Sequence, residues 1–483
     1  VNAFFHPERL RSVVGGVLAT RPEWLGVAGG GLEGEDAGVS VDSRSVRPGQ
    51  VFVAIKGERF DGHDFLPEAA AAGARSVIVH HEPRGPLTDD LGRPVAVIRV
   101  PDTRRALLRL AQAYRRTLEG VKVIGVCGSN GKTTTVRLID AVLSQRLRGY
   151  ASRKSFNNDV GVPLTILSAR PGHQYLICEI GTNAPGEIAA LGSIVEPDVA
   201  VIVSIGREHL EGFGSLEGVA REEAAILRCI RAGGAGVATA DAPALAPHLR
   251  ACRDVALVRF GRDRDADLRL TETVHEPGGG LRFTVNGRWR LRCPLVGEHN
   301  ALNALAAVAV GRRFGLNDEE IAAGLLSVRG PEMRWERSNL GDVEVINDAY
   351  NANPESMLAA VRTFGGVYPA GARRRVLVLG DMLELGTAAE ASHLEIGRVV
   401  AAEQLTDVLV TLGPLGALIA RAARDGGLPG ACVTALPDAS DGSCTEAARQ
   451  IRPGDVVLLK GSRGVRLERV ARALAAESGV RTG

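Results

Sequence analysis

Residues 121–136 constrain this chain more than any other stretch. Residues 121–126 are rich in valine and isoleucine and read as a buried strand. Gly128-Ser129-Asn130-Gly131-Lys132-Thr133 follows as a glycine loop, and residues 134–147 read as an amphipathic helix. Strand, loop and helix together make a phosphate cradle. Loop amides and the helix N-terminus face phosphate oxygens, Lys132 adds a point charge, and the Thr133 hydroxyl can ligate Mg²⁺. The spacing departs from the full Walker pattern, which expects a glycine where Val126 stands; Gly125 lies one residue further back. An ordinary strand–helix turn accounts for the glycines but not for the Lys-Thr pair, so the stretch is read as a nucleotide site.

At 483 residues the chain has room for roughly three domains, each able to bury a core. The formal net charge is only +2 and aromatics are 4% of residues, so no basic, aromatic-laced stripe marks a nucleic-acid partner. The cysteines (127, 178, 229, 252, 293, 432 and 444) are scattered with no Cys-x-x-Cys pair. That pattern suits reduced, mostly buried thiols and excludes a disulfide framework or a cysteine zinc site. No secretory leader and no bilayer-length apolar run is visible. The expectation is a cytoplasmic, monomeric α/β enzyme with no membrane insertion and no nucleic-acid partner.

The pattern divides into three units. Residues 1–99 hold a strand at 51–55, a helix at 66–72 and a strand at 76–79, with Asp42-Ser43-Arg44 and a glycine-rich loop at 56–65 between them. A basic residue beside such a loop suits a diphosphate; the plainer alternative makes Asp42 and Asp61 turn formers and Arg44 a solvated charge. Residues 100–329 hold a helix at 104–116, the phosphate cradle, and a strand at 175–180 that brings Glu179 to its carboxyl end. A strand at 199–205 does the same for His209. Open parallel sheets bind ligands at those ends, and an acid and a histidine beside a phosphate loop fit metal coordination. Further on, 277–280 reads as a hairpin tip, and Gly297-Glu298-His299-Asn300 as the cap of an alanine-rich helix at 301–314. Residues 330–483 alternate helices with strands at 343–346, 375–379, 408–412 and 456–459, a second open α/β sheet. Three polar loops at its strand ends suggest a face that closes on a ligand. The fold class is α/β throughout: a small N-terminal domain, a central P-loop-type ATPase with a mostly parallel sheet, and a C-terminal Rossmann-like domain.

Several runs now combine. They are Asp42-Ser43-Arg44, Asp61-Gly62-His63, the 128–134 loop, Phe156-Asn157-Asn158, Gly181-Thr182-Asn183 with Pro185-Gly186-Glu187-Ile188, His209-Leu210-Glu211, Gly297 to Asn300, Asp348-Ala349-Tyr350-Asn351-Ala352-Asn353-Pro354, Gly380-Asp381-Met382 and Lys460-Gly461-Ser462. Over nearly the whole chain this set resembles the Mur ligases, the ATP-dependent amide ligases of peptidoglycan synthesis. The resemblance implies that 1–99 binds a UDP-substrate, 100–329 binds ATP and 330–483 binds the amine. It also implies that ATP phosphorylates a peptide carboxylate, with two Mg²⁺ ions present, and that an amine attacks the acyl phosphate. Within the family, the Tyr350 to Pro354 run and the 181–188 loop resemble those of a member that joins D-alanyl-D-alanine to a UDP-linked muramoyl tripeptide, which makes that substrate pair the expectation.

Carried over residue by residue, the resemblance makes Lys132, Glu179 and His209 catalytic. ATP would meet Gly128, Ser129, Asn130, Gly131, Lys132, Thr133 and Thr134, with Asn300 on adenine, Arg334 on phosphates, Asp348 on ribose and Tyr350 on the base. Thr133, Glu179 and His209 would hold metal. Ser43, Arg44, Lys56, Asp61 and His63 would take the UDP portion, and Asn157 and Asn158 would lie near the transferring group. Asn351, Asn353, Lys460 and Ser462 would meet the amine. Two rivals stand beside this reading. An amide ligase of a secondary-metabolite pathway is disfavoured by the intact Asp42-Ser43-Arg44 and Asp61-Gly62-His63. A non-catalytic nucleotide-binding partner is disfavoured by Lys132, Glu179 and His209.

One position departs from the family pattern. Fourteen residues past the metal histidine the resemblance leads to a lysine carbamylated by CO₂, and here that position is Glu223 in the run Arg221-Glu222-Glu223. Carbamyl-lysine is a carboxylate on a long stalk and glutamate one on a shorter stalk, so Glu223 is expected to serve catalysis and the metal in its place. Direct ligation would need a shift of ~3–4 Å or a bridging water. Glu222 projects about 100° away on the same helix, so only one of the pair can serve. The alternative is a solvated helix residue.

Overall fold

The structure, a computed structural model, describes residues 3–26, 38–153, 155–276 and 279–477. Three sheets organise them. The first contains β1 (Val17–Thr20), β2 (Val39–Ser40), β3 (Val51–Val53), β4 (Ser76–Val79) and β5 (Ala96–Arg99), in the order β1-β5-β4-β3-β2. All its neighbours run parallel except β1, which is antiparallel to β5.

The second sheet holds β6 (Lys122–Cys127), β7 (Gly149–Ala151), β8 (Tyr175–Glu179), β9 (Val199–Ile202), β10 (Ala235–Thr239), β11 (Ala256–Gly261), β12 (Leu268–His275), β13 (Leu281–Val285) and β14 (Trp289–Cys293). Its order is β14-β13-β12-β11-β10-β9-β6-β8-β7, so β6 lies between β9 and β8. The run from β7 to β12 is parallel, and β12, β13 and β14 form an antiparallel extension. An interior parallel strand is covered on both faces, which is why β6 past the exposed Lys122 reads as a continuous apolar run and not as an alternation. The hairpin tip expected at 277–280 falls partly on residues 277–278, outside the described residues; β12 and β13 pair antiparallel on either side of it.

The third sheet contains β15 (Glu336–Leu340), β16 (Val343–Asn347), β17 (Arg375–Gly380), β18 (Val408–Leu412), β19 (Val433–Leu436) and β20 (Val456–Lys460), in the order β15-β16-β20-β17-β18-β19. Only β15 is antiparallel to its neighbour.

The helix Thr103–Arg115 joins the first two sheets. Its buried face (Ala106, Leu107, Leu110, Ala111, Tyr114) belongs to one continuous core with Val51 and Ile98 of the first sheet and Val123 and Leu176 of the second. Arg115 is buried there and donates to the carbonyls of Val195 and Glu196, closing the end of the helix Glu187–Val195.

Several elements differ from expectation: β3 stops at Val53 and β9 at Ile202, short of 55 and 205. The cradle helix runs Lys132–Leu143 and so includes the lysine itself, stopping short of 147. The alanine-rich helix is Glu298–Arg313, with Gly297 as its cap at φ +97°, so Asn300 sits in the first turn and not in the loop before it. All seven cysteines are unpaired. Among the described residues no helix is long and apolar enough to cross a membrane.

Candidate active site

The chain leaves β6 through two backbone positions that demand glycine. Gly128 has φ +125°, and a side chain there would collide with the backbone of Ser204, 2.9 Å away. Gly131 has φ +82° and caps the cradle helix. Ser204 and Gly206, beyond β9, brace the loop: the Asn130 amide donates to Ser204 Oγ (2.8 Å) and the Gly206 amide to Ser129 Oγ (2.8 Å). Lys132 folds back so that Nζ donates to the carbonyls of Gly128 and Ser129 and lies 3.8 Å from Glu208 Oε2.

Carboxylates surround this lysine. Glu179, at the end of β8, is buried; its Oε1 accepts from Asn157 Nδ2 at 2.9 Å, and its Oε2 has no partner. Burial pushes its carboxyl above the usual range, with Arg334 and Lys132 acting against that. Glu208, adjacent to His209, was not foreseen. Burial pushes its carboxyl up to about 8, opposed by Lys132. His209 has φ +47°, and its Nδ1 lies 2.7 Å from Glu384 Oε2, a residue of the loop after β17. Burial lowers the imidazole pKa and Glu384 opposes this.

Glu222 and Glu223 separate as their helical spacing requires. Glu222 accepts from the amides of Gly186 and Ile188, both at 2.8 Å, and so holds the N-terminus of the helix Glu187–Val195. Glu223 is fully buried, which removes the solvated alternative. Neither of its carboxyl oxygens has a hydrogen-bond partner; the Cys127 thiol and Gly128 amide are near but outside hydrogen-bond geometry. Burial raises its pKa against the pull of Lys132. Glu223 therefore lies in the wall behind the glycine loop, while Lys132, Glu179 and His209 line the open cavity in front of it.

That cavity has a volume of about 1340 Å³, and the third sheet closes its far side. Arg334 Nη2 lies 3.3 Å from Thr133 Oγ1, and its guanidinium stacks 4.6 Å from the Tyr350 ring centre. Asp348 Oδ2 pairs with Lys460 Nζ at 2.8 Å. Asn353 caps the helix Pro354–Val367 and donates through Nδ2 to Asn130 Oδ1 at 3.0 Å. Arg207 of the central unit donates to Glu355 (2.7 Å) and Glu395 (3.0 Å). All four residues expected at the amine line the cavity, Asn351 at an exposed position. The polar groups of the other three are largely engaged: Lys460 Nζ also donates to Asn351 O, and Ser462 Oγ donates to Ala352 O and accepts from the Leu383 amide.

Asn300 donates to Val296 O and accepts from Asn303 Nδ2 at 2.9 Å. Asn303, one turn further along the same face and against Gly131, was overlooked, although its i,i+3 spacing from Asn300 was a readable signal. Asn158 Oδ1 accepts from the Val160 and Gly161 amides at the start of the helix Gly161–Leu167. Of the residues expected at the UDP substrate, Ser43, Arg44, Lys56, Asp61 and His63 lie in the first unit, outside the cavity, whereas Asn157 and Asn158 line it. Arg44 makes a two-pronged pair with Asp42 (2.9 and 2.7 Å). Ser43 opens the turn that contains it, and Asp61 accepts from His63 Nδ1 at 2.6 Å. Arg104 links the Lys56 carbonyl to Asp159, beside Asn158.

Three family descriptions match in succession: "Mur ligase family, catalytic domain" over residues 37–115, "Mur ligase middle domain" over 126–311 and "Mur ligase, glutamate ligase domain" over 333–463. The UDP-N-acetylmuramoyl-tripeptide–D-alanyl-D-alanine ligase of Bacillus subtilis is 37% identical, over 90% of this chain and 93% of its own. The ligase of the same name from Escherichia coli is 34% identical, over 95% and 98%. Among solved structures, MurF from Acinetobacter baumannii superposes with a TM-score of 0.82 at 30% identity, covering 97% of this chain and 98% of its own. MurF ligase from Thermotoga maritima in complex with ADP gives 0.75 at 27% identity, covering 92% and 98%.

Proposed function

This chain belongs to the Mur ligase family, and on that premise we propose that it joins D-alanyl-D-alanine to UDP-N-acetylmuramoyl-tripeptide, driven by ATP, in peptidoglycan precursor synthesis. The observation that carries the reading is the convergence of Lys132, Glu179 and His209 with Arg334 and Asp348 on one cavity. The enzyme acts in the cytoplasm as a monomer. Residues 1–99 hold the UDP end through Ser43, Arg44, Lys56, Asp61 and His63, residues 100–329 hold ATP, and residues 330–483 hold the amine near Asn351.

The chemistry follows from charge. A carboxylate is a poor electrophile. Once one of its oxygens attacks the γ-phosphorus and ADP leaves, the same oxygen carries a phosphate leaving group. The dipeptide amine then adds to the carbonyl carbon, loses a proton, and phosphate departs. The loop amides of 128–134 and Lys132 hold the phosphates, Arg334 adds a second cation, and Asn157 and Asn158 border the transferring group. Asn300 meets adenine, Asp348 the ribose and Tyr350 the base.

The donor set of the cavity fits Mg²⁺: Glu179 Oε2 and Glu208 Oε1 line it and are buried without hydrogen bonds, as suits carboxylates whose partner is a cation. Thr133 and Glu179 would hold the ion on the nucleotide and His209 a second. When bound, these ions offset repulsion between the triphosphate and the substrate carboxylate. Glu223, behind the loop, would replace the modified lysine as a negative charge facing Lys132, and would meet an ion only after a side-chain shift or through a bridging water.

The test is ADP release with the UDP-tripeptide and D-alanyl-D-alanine, against reactions lacking either or given another dipeptide. Turnover should require both. ADP release that ignores the dipeptide, or that prefers an unrelated amine, would overturn the proposal.

A further inference from the structure

Outside the cavity, three of the chain's ten histidines meet past the carboxyl end of β4, an interior strand of the first sheet. His63 comes from the loop before the helix Leu66–Ala71, while His80 and His81 follow β4 directly. Their ring centres lie 4.0 Å (63 to 80), 4.3 Å (63 to 81) and 4.6 Å (80 to 81) apart. One nitrogen from each ring falls within 4.8 Å of the others.

We propose that His63, His80 and His81 form a binding site for a divalent transition-metal ion such as Zn²⁺, so that His63 serves the UDP end of the proposed function through the ion and not by direct contact. Three imidazole nitrogens with an open fourth position are a donor set that Zn²⁺ accepts, whereas Mg²⁺ prefers oxygen. The buried ring is already oriented for it. Asp61 Oδ1, 2.6 Å from His63 Nδ1, fixes the proton on that nitrogen and leaves Nε2 as the lone-pair donor facing His80. A carboxylate behind the ligating imidazole is the usual support of a metal-bound histidine. His63 is buried while His80 and His81 are exposed, so the site has a rigid floor and an open side through which the ion enters. Metal–nitrogen bonds of about 2.0–2.1 Å place tetrahedral ligand nitrogens about 3.3 Å apart. Closing from 4.8 Å asks the two exposed rings to move by at most about 1.5 Å, which a rotamer change supplies. Binding also exchanges the bond from the His80 amide to His63 Nε2 (3.1 Å) for a metal bond.

The probes are Zn²⁺ and Co²⁺, titrated into the metal-stripped full-length enzyme with saturating Mg²⁺ to occupy the oxygen-rich site. One equivalent of Zn²⁺ should bind with micromolar affinity or better, and Co²⁺ should show the visible absorption of a four- or five-coordinate nitrogen site. His80→Ala combined with His81→Ala should weaken this equivalent at least 30-fold without changing the thermal midpoint of the metal-free protein. In the wild type, the ring ¹⁵N resonances of His63, His80 and His81 should shift with Zn²⁺. Equal Zn²⁺ affinity and stoichiometry in wild type and double variant, or ring resonances that ignore Zn²⁺, would overturn the proposal.

Discussion

Replacing Arg207 by alanine should loosen the closure of the third sheet over the nucleotide cavity. In the structure this guanidinium makes two charge-assisted bonds across the boundary, to Glu355 at 2.7 Å and Glu395 at 3.0 Å. All three side chains are about one-third exposed, so solvent screens each pair and each bond is worth about 0.5–1 kcal/mol. The main-chain bond from the Arg207 amide to Glu355 survives the substitution. The loss is therefore about 1–2 kcal/mol, a factor of roughly 5–30 in the balance between closed and open forms. Arg334 and Asp348 are brought to the cavity by the third unit, so opening would withdraw them, and the KM for ATP should rise by up to that factor in a coupled ADP-release assay. Raising salt should reproduce part of the defect in the wild type and little of it in the variant, because the screened contacts are already gone. A variant with unchanged KM for ATP and wild-type salt dependence would refute the latch.

Other outcomes follow from the same geometry. Glu223→Gln should lower kcat far more than Glu222→Gln, and CO₂ removal or added bicarbonate should leave wild-type activity unchanged; strong rescue by bicarbonate would point to a modified lysine elsewhere. Glu222→Gln should instead reduce stability by about 1–3 kcal/mol in urea unfolding, because it weakens two amide contacts at a buried helix end. Asn303→Ala frees Asn300 and should raise the KM for ATP while sparing the KM for the dipeptide, measured by initial rates. Glu208 binds its proton more tightly folded (about 8) than unfolded (about 4.5), so the folded state holds more protons between those values. Its contribution makes the nucleotide-free, metal-free enzyme less stable as pH rises through that window, and Glu208→Gln should flatten the decline in denaturation midpoints.

Legibility varied with the range of the interaction. The strand and loop around Lys132, and Glu179 at the end of β8, were readable because each depends on local periodicity and on a sheet whose carboxyl ends converge. Contacts between sheets were not readable. Nothing near Glu384 in the chain says that it will meet His209, nor does the run around Arg207 announce Glu355 and Glu395, more than a hundred residues away. Lys460 and Ser462 carry the right chemistry for a substrate, yet folding commits them to Asp348 and to the loop carbonyls of Asn351 and Ala352. Glu223 shows the same limit. The charged run Arg221-Glu222-Glu223 resembles a solvated helix face, and only packing against the glycine loop buries Glu223. Strands β15 and β19 lie at the edges of the third sheet, where β15 is polar and mostly exposed and β19 is only four residues long, so neither carries a strong apolar signal.

The central claim is that this cavity transfers phosphate onto a peptide carboxylate before the amide bond forms. Isotope transfer tests it most directly: the UDP-tripeptide labelled with ¹⁸O in its terminal carboxylate is turned over with ATP and D-alanyl-D-alanine, and the inorganic phosphate is weighed by mass spectrometry. One ¹⁸O atom should appear in each phosphate released from fully labelled substrate. Phosphate carrying no label, alongside full formation of the ligated product, would contradict the acyl-phosphate route.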